Sequence, residues 1–151
     1  MLSYFILRVT LDTNVVYQAL RSNSGASHAI LKMIRNSQLE MAISIPVFNE
    51  YADVLNRKKS LEDLNLTKKD ISSFLDFVCL VSFPYDISFL LRPNLKDEND
   101  NMFVELAFAS NSKFLITSNI SDFTKETNLL FDSFQIMTPA QFLTFWRKHY
   151  E

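Results

Sequence analysis

The sequence predicts an α/β protein: a central parallel sheet covered by helices on both faces, a three-layer α/β/α sandwich. Three observations predict it. Short apolar runs rich in strand formers alternate with stretches whose apolar residues recur at helical spacing. Polar residues gather directly after two of the runs, at Asp12 and at Ser118-Asn119, and sheets of this class carry their sites beyond the carboxyl ends of the strands. Gly25 is the only glycine, so the glycine-rich phosphate loops of P-loop and dinucleotide-binding proteins are excluded.

The elements follow in order. Phe5 to Leu11 reads as a strand that ends in Asp12-Thr13-Asn14. Helical stretches come next, broken near Ser22-Asn-Ser-Gly25, with Ala29, Ile30, Met33 and Ile34 forming one apolar stripe. Leu39 to Ile45 is a second strand. Pro46 suits the first turn of the following helix, which carries Val47, Tyr51, Val54 and Leu55. Thr67-Lys-Lys-Asp70 has the form of a capping box opening a helix through Phe74, Leu75 and Val78. Leu80 to Phe83 reads as a short strand closed by Pro84. Asp97 to Asp100 leads into a helix with Phe103, Leu106, Ala107 and Phe108. Lys113 to Thr117 and Phe134 to Met137 are the remaining strands. Thr138-Pro-Ala-Gln141 then opens a last helix, with Thr as cap, Pro at the first position and Gln closing the box.

Composition bounds the function. A chain of 151 residues, 48% apolar and 21% charged, is expected to fold as one domain over residues 1–151. Fourteen Phe predict a core rich in aromatic rings, and Cys79, the single cysteine, reads as a small buried hydrophobe. No Cys/His spacing suits a structural zinc. The apolar start Met1 to Leu11 lacks a basic lead and a small-residue cleavage site, and no run approaches the ~18 residues of a membrane span. A cytoplasmic protein without a membrane partner is the expectation. The net charge of −2 argues against a protein that merely coats nucleic acid. It permits a nuclease whose acids are neutralised locally by metal.

The acidic residues carry the chemistry. Asp12 ends a strand, and it either caps the next helix or binds a cation, or does both. Glu50 lies one turn into a helix, where the dipole alone favours an acid. Asp97-Glu-Asn-Asp100 is an acidic turn before a helix, and it reads as a solvated cap or as part of a site. Asn119 and Asp122 either cap the segment after the fourth strand or complete a metal site. Glu105, five residues past Asp100, faces elsewhere on the helix and is a minor candidate. Carboxylates gathered at strand and helix ends repel one another unless a cation neutralises them. Oxygen-only ligands suit Mg²⁺ or Mn²⁺, which retain water and bind phosphates.

Five stretches resemble the motifs of PIN-domain ribonucleases, in the same order. They are Arg8-Val-Thr-Leu-Asp-Thr-Asn14, Ile45-Pro-Val-Phe-Asn-Glu50, the stretch from Lys96 to Ala107, Leu115 to Phe123, and Met137 to Phe142. The resemblance covers about residues 6 to 143 and is strongest to the toxin components of toxin–antitoxin pairs. It implies a PIN-like domain in which Asp12, Glu50 and Asp100 hold Mg²⁺ or Mn²⁺, with Asp122 or Asn119 at the fourth position. Asn14, Asp97, Thr117, Ser118 and Asn119 would orient those ligands or a water. Many relatives carry Gly-Asp where this chain has Ser118-Asn119. The implied activity is hydrolysis of single-stranded RNA, with a cognate antitoxin as partner and, since dimerisation is common among relatives, a second copy of the chain as another. Arg21, Arg57-Lys-Lys59, Lys68-Lys69 and Lys96 are candidate phosphate contacts, and neither His28 nor His149 falls in an acidic motif.

Two other classes compete. A PIN-like module that binds RNA or protein without catalysis would keep the fold and the acids. An aspartate-based phosphatase of the haloacid-dehalogenase type needs a second Asp where this chain has Asn14. A receiver domain needs an acidic pair after its first strand, which is also missing.

Overall fold

The computed structural model describes residues 6–87, 98–123 and 133–150, without the side chains of residues 98–100. The apolar runs become five strands: β1 (Leu7–Leu11), β2 (Leu39–Ile43), β3 (Ser82–Pro84), β4 (Phe114–Ile116) and β5 (Gln135–Met137). Two helices, α1 (Thr13–Arg21) and α2 (Ala26–Arg35), link β1 to β2. Three more, α3 (Ile45–Leu55), α4 (Lys58–Leu64) and α5 (Lys68–Val81), link β2 to β3. The helix α6 (Glu98–Ala109) precedes β4, and α7 (Pro139–Tyr150) follows β5.

All strands pair in parallel in the order β3-β2-β1-β4-β5. The chain walks outward from β1 through β2 to β3, then crosses back to β4 and on to β5. Parallel crossovers are right-handed, so reversing the walk moves the covering helix to the opposite face. Accordingly α2 packs over β2, and α6 packs against β1, β2 and β4. This is the three-layer α/β/α sandwich that the alternation predicts. Val9, Leu11, Met41, Leu115 and Ile116 are fully buried, as strands covered on both faces require. The order reverses between β1 and β4, and the crevice beyond that point is where open α/β sheets bind ligands.

Several boundaries differ from the sequence reading. β2 stops at Ile43 because the Ser44 hydroxyl accepts the Val47 N–H at 3.4 Å and caps α3, with Pro46 in its first turn. The helix α5 runs on to Val81, and the strand is Ser82–Pro84, not Leu80 to Phe83. Pro84 is tolerated inside it because, among the described residues, β3 pairs with β2 alone and forms a sheet edge. Cys79 is exposed, contrary to expectation, and Leu80 is 84% exposed. The buried stripe of α5 is Ile71, Leu75 and Val78, and the next two positions turn outward. The short helix α4 carries no clear sequence signal, because its opening Lys58-Lys59 looks like a charge run.

With one glycine in the chain, the left-handed backbone positions fall to Ser37, Asn65 and Asn111, at φ of 61°, 54° and 58°. Asn visits this region at lower cost than most residues. Rings fill much of the core, as the composition suggests. Phe114 meets Phe142 and Phe145 edge-on at 5.5 and 4.9 Å, although Phe83 and Phe108 lie at the surface.

Both capping boxes form. Thr67 Oγ1 accepts the Asp70 N–H at 3.1 Å while the Asp70 carboxylate accepts the Thr67 N–H at 2.8 Å. Thr138 and Gln141 exchange the same pair of bonds at 3.1 and 2.9 Å. Replacing Thr67 with Ala is expected to cost about 1 kcal/mol in a urea melt. An unchanged midpoint would show that water replaces the cap without loss. The Thr67 bonds also hold the Asp70 carboxyl below the ordinary aspartate range. The stabilisation from its charge is therefore present above the unfolded-chain pKa and disappears as pH falls through the lowered value.

Candidate functional site

The chain leaves β1 at Asp12 in extended conformation, and α1 starts at the next residue. Asp12 N–H donates to the Ile116 carbonyl at 2.9 Å, which holds this residue against the end of β4. Its carboxylate caps α1, with Oδ1 accepting the Thr13 N–H at 2.7 Å. Capping alone does not account for the rest. Oδ2 accepts the Thr117 hydroxyl at 2.7 Å and the Asn14 side-chain amide at 3.0 Å. Three donors from two strand ends thus converge on a carboxylate only 7% exposed. Burial pushes the Asp12 carboxyl above the ordinary aspartate range, against the downward pull of these bonds, and the charge of Asp122 adds to the rise.

The groups around Asp12 are themselves tied together. Thr117, fully buried, also accepts the Asn119 N–H at 3.0 Å. Asn14 Oδ1 accepts the Ser118 N–H at 3.1 Å. Asp122 follows in a helical turn over residues 120–123, its N–H bonded to the Asn119 carbonyl at 3.1 Å and the turn anchored by fully buried Phe123. Asp12, Asn14, Thr117, Ser118, Asn119 and Asp122 therefore form one neighbourhood at the switch point. Beside it, the Thr13 hydroxyl is buried without a hydrogen-bond partner among the described residues.

α3 is tied to the same place from the other side. Tyr51 is fully buried and its hydroxyl donates to the Leu11 carbonyl at 2.5 Å, one residue before Asp12. Burial, and then the charge of Asp12, raise the Tyr51 pKa well above the ordinary phenol value and keep it a donor. Glu50, the preceding residue on α3, is half-buried and engaged in an interaction. Sequence reasoning placed Tyr51 in an apolar stripe and missed this bond, because burial alone accounts for a Tyr there.

Asp100 lies in the first turn of α6, and Asp97 lies outside the described residues. Spacing alone undervalues Glu105. It is 6% exposed and partnered, on a helix packed against β1, among the buried Phe103, Val104, Leu106 and Ala107. A lone acid in an otherwise apolar helical segment was the signal available. Of the candidate phosphate contacts, Arg57 pairs with Asp53 at 2.9 Å and Arg21 with Asp63 at 3.7 Å, while Lys96 lies outside the described residues. His28 and His149 bond to the carbonyls of Ala19 and Phe145.

The donors gathered here are carboxylate, amide and hydroxyl oxygens, the set that suits a hard divalent cation rather than zinc. A buried carboxylate with a raised pKa, beside a second acid, is one whose charge a cation would offset. Among the described residues no three His, Cys, Asp or Glu side chains come together as a ligand group.

A doubly covered parallel sheet with a buried acid and its donors at the switch point defines an α/β protein with an oxygen-lined, acidic site. Residues 8–121 match the PIN domain, and the chain belongs to that family. No curated protein matches the chain. In fold the chain is similar to one chain of a crystal structure of VapBC2 from Rickettsia felis bound to a DNA fragment from their promoter. That likeness has a TM-score of 0.60 at 20% identity, over 87% of this chain and 98% of the other. Membership of the PIN domain family supports a nuclease, and hence a hydrolase. Among the described residues no helix is long and apolar enough to cross a membrane.

Proposed function

We propose that this protein is a divalent-metal-dependent endoribonuclease that hydrolyses phosphodiester bonds of single-stranded RNA. The observation that carries the reading is the Asp12 cluster: a buried carboxylate with raised pKa at the switch point, fixed by Thr117, Asn14 and the Thr13 N–H. In this reading Asp12, Glu50 and Asp100 hold Mg²⁺ or Mn²⁺, with Asp122 or Asn119 at the fourth position. The bound cation would polarise the phosphate and activate a water for attack. Thr117 and Asn14 keep the Asp12 oxygens aimed, and Ser118, Asn119 and Asp97 orient the neighbouring groups. Tyr51 fixes the end of β1, so the carboxylate does not turn with the chain.

The domain is taken to span residues 1–151 and to act in the cytoplasm. Its likeness to a chain of VapBC2 supports placing it as the toxin of a toxin–antitoxin pair, held inactive by a small cognate protein, with a homodimer as its own assembly. Cleavage of labelled single-stranded RNA by folded protein, dependent on added Mg²⁺ or Mn²⁺, tests the activity. No cleavage across varied RNAs by metal-loaded protein would leave a binding module with the same fold.

A subtler test addresses the ligand support. Thr117→Val keeps the shape of the side chain but removes a bond that pulls the Asp12 pKa down. Mn²⁺ affinity, read by calorimetry, is expected to fall ten- to a hundredfold, the usual effect of losing a group that orients a ligand (about this range). Wild-type affinity in the variant would remove Thr117 from the site.

A further inference from the structure

A second feature lies beside the Asp12 cluster, at the same end of the sheet. A cavity of about 320 Å³ opens between the start of α2, the start of α7 and the residue after Thr117, lined by Gln18, Ser22, Ser27, Ser118 and Thr138 among others, none of them acidic. Its distance from the acids is short in bonds: Ser118, on its wall, donates its N–H to Asn14, which donates to Asp12.

Two properties make it a place for an anion. The start of α2 is open. Gly25 sits at its cap with no side-chain hydrogen bond, so among the described residues the first-turn N–H groups of Ala26, Ser27 and His28 have neither helical nor capping acceptors. At α7, by contrast, the Thr138–Gln141 box already satisfies its first turn. The second property is Ser27 itself. It is 7% exposed, it lines the cavity, and its hydroxyl forms no hydrogen bond among the described residues. Unlike the Thr13 hydroxyl, that of Ser27 keeps access to solvent, and a phosphate oxygen in the cavity would take the place of water as its acceptor. The helix dipole adds attraction for negative charge at that point.

We propose that this cavity binds a backbone phosphate of the RNA strand next to the one cleaved, through the Ser27 hydroxyl and the first-turn N–H groups of α2. This rests on the nuclease reading above and adds a substrate subsite to it. A strand approaching an acidic centre meets repulsion, and a neutral pocket of donors one residue away gives its neighbouring phosphate a place to sit. The pocket fixes the register of the strand without reading its bases.

Two substitutions test it without threatening the fold. At Gly25 a Cβ would meet only Ser22, at an ordinary contact of 3.6 Å. Gly25→Asp therefore puts a carboxylate cap on the same N–H groups and strengthens the helix while blocking the pocket. Ser27→Ala removes the hydroxyl alone. Binding of a fluorescein-labelled RNA decamer would be measured by anisotropy in an Asp12→Asn background, so that turnover plays no part. Gly25→Asp is expected to raise the RNA Kd about tenfold or more, and Ser27→Ala several-fold (roughly). Ser73→Asp, which adds the same charge on the exposed face of α5, should leave Kd at its starting value. In parallel, inorganic phosphate titrated into ¹⁵N-labelled protein should shift the amides of Ala26, Ser27 and His28, and Gly25→Asp should abolish the shift. Unchanged RNA affinity in Gly25→Asp, or no amide shift with phosphate, overturns the subsite even if the wild type cleaves RNA. Loss of affinity and shifts in a protein that never cleaves RNA would sink the nuclease reading and leave the phosphate site standing.

Discussion

Replacing Asp12 with Asn is expected to lower metal-dependent RNA cleavage about a thousandfold or more, with the fold retained. The estimate follows from the several kcal/mol of charge stabilisation that a bound cation supplies, at about 1.4 kcal/mol per tenfold in rate. The substitution removes the charge and also reverses one oxygen. Two donors, from Thr117 and Asn14, meet on Oδ2, and a third, the Thr13 N–H, meets Oδ1. An Asn amide faces at least one of them with a donor of its own whichever way it is turned. Asp100→Asn is expected to act similarly on activity if its side chain completes the site.

Thermal melts supply a second readout that needs no RNA. In metal-free protein, burial makes folded Asp12 hold its proton more tightly than the unfolded chain does. Stability is therefore lost as pH rises from the unfolded pKa through the raised folded value, and the loss persists at neutral pH. A cation bound there offsets the charge. With Mn²⁺ at about a hundred times its Kd, linkage gives about 2.7 kcal/mol, or a rise in Tm of several degrees for a chain of this size. The rise should be absent in Asp12→Asn, and it should weaken as pH falls toward the raised pKa, where protons compete with the metal. An equal rise in both proteins would place the cation elsewhere.

Much of this was legible in the sequence because the relevant forces are local. Strands covered on both faces are rich in apolar strand formers, so β4 and, despite Arg8 and Thr10, β1 stand out, and the residues that follow them, Asp12 and Thr117, fall where the backbone leaves the sheet. Ser44 with Pro46, and Thr138 with Pro139 and Gln141, mark helix starts through capping chemistry that acts within four residues. What the sequence hides are choices made by tertiary packing. Cys79 and Leu80 are apolar yet face outward, because helix phase is set by Ile71, Leu75 and Val78. Glu105 is charged yet buried, because α6 lies flat against the sheet. The open start of α2 is equally invisible: a lone Gly after Ser22-Asn-Ser reads as a loop, and only the fold shows that Gly25, Ala26 and Ser27 line a cavity.

Tyr51 tests whether the site depends on a rigid strand end. Its ring is fully buried in α3 and its hydroxyl is bonded to the Leu11 carbonyl, in the peptide that joins Leu11 to Asp12. Tyr51→Phe keeps the ring and removes the hydroxyl, leaving a buried carbonyl without that donor, at a cost of about 1–3 kcal/mol. Tyr51→Ala also opens a cavity under β1 and should cost about 3–5 kcal/mol, enough to unfold a marginal domain. The informative comparison is therefore Phe. Urea melts give the stability loss, and RNA cleavage at a temperature where both proteins stay folded gives the rate. If Tyr51 only fills the core, the Phe variant keeps its rate once folded. If the bond holds Asp12 in register with Thr117, kcat falls even in fully folded protein, because displacements of about 1 Å at a reacting centre cost on the order of a hundredfold. The bond holds the Leu11 carbonyl, one half of the peptide unit whose N–H belongs to Asp12, so the second result is the one expected, and wild-type kcat in folded Tyr51→Phe would refute it.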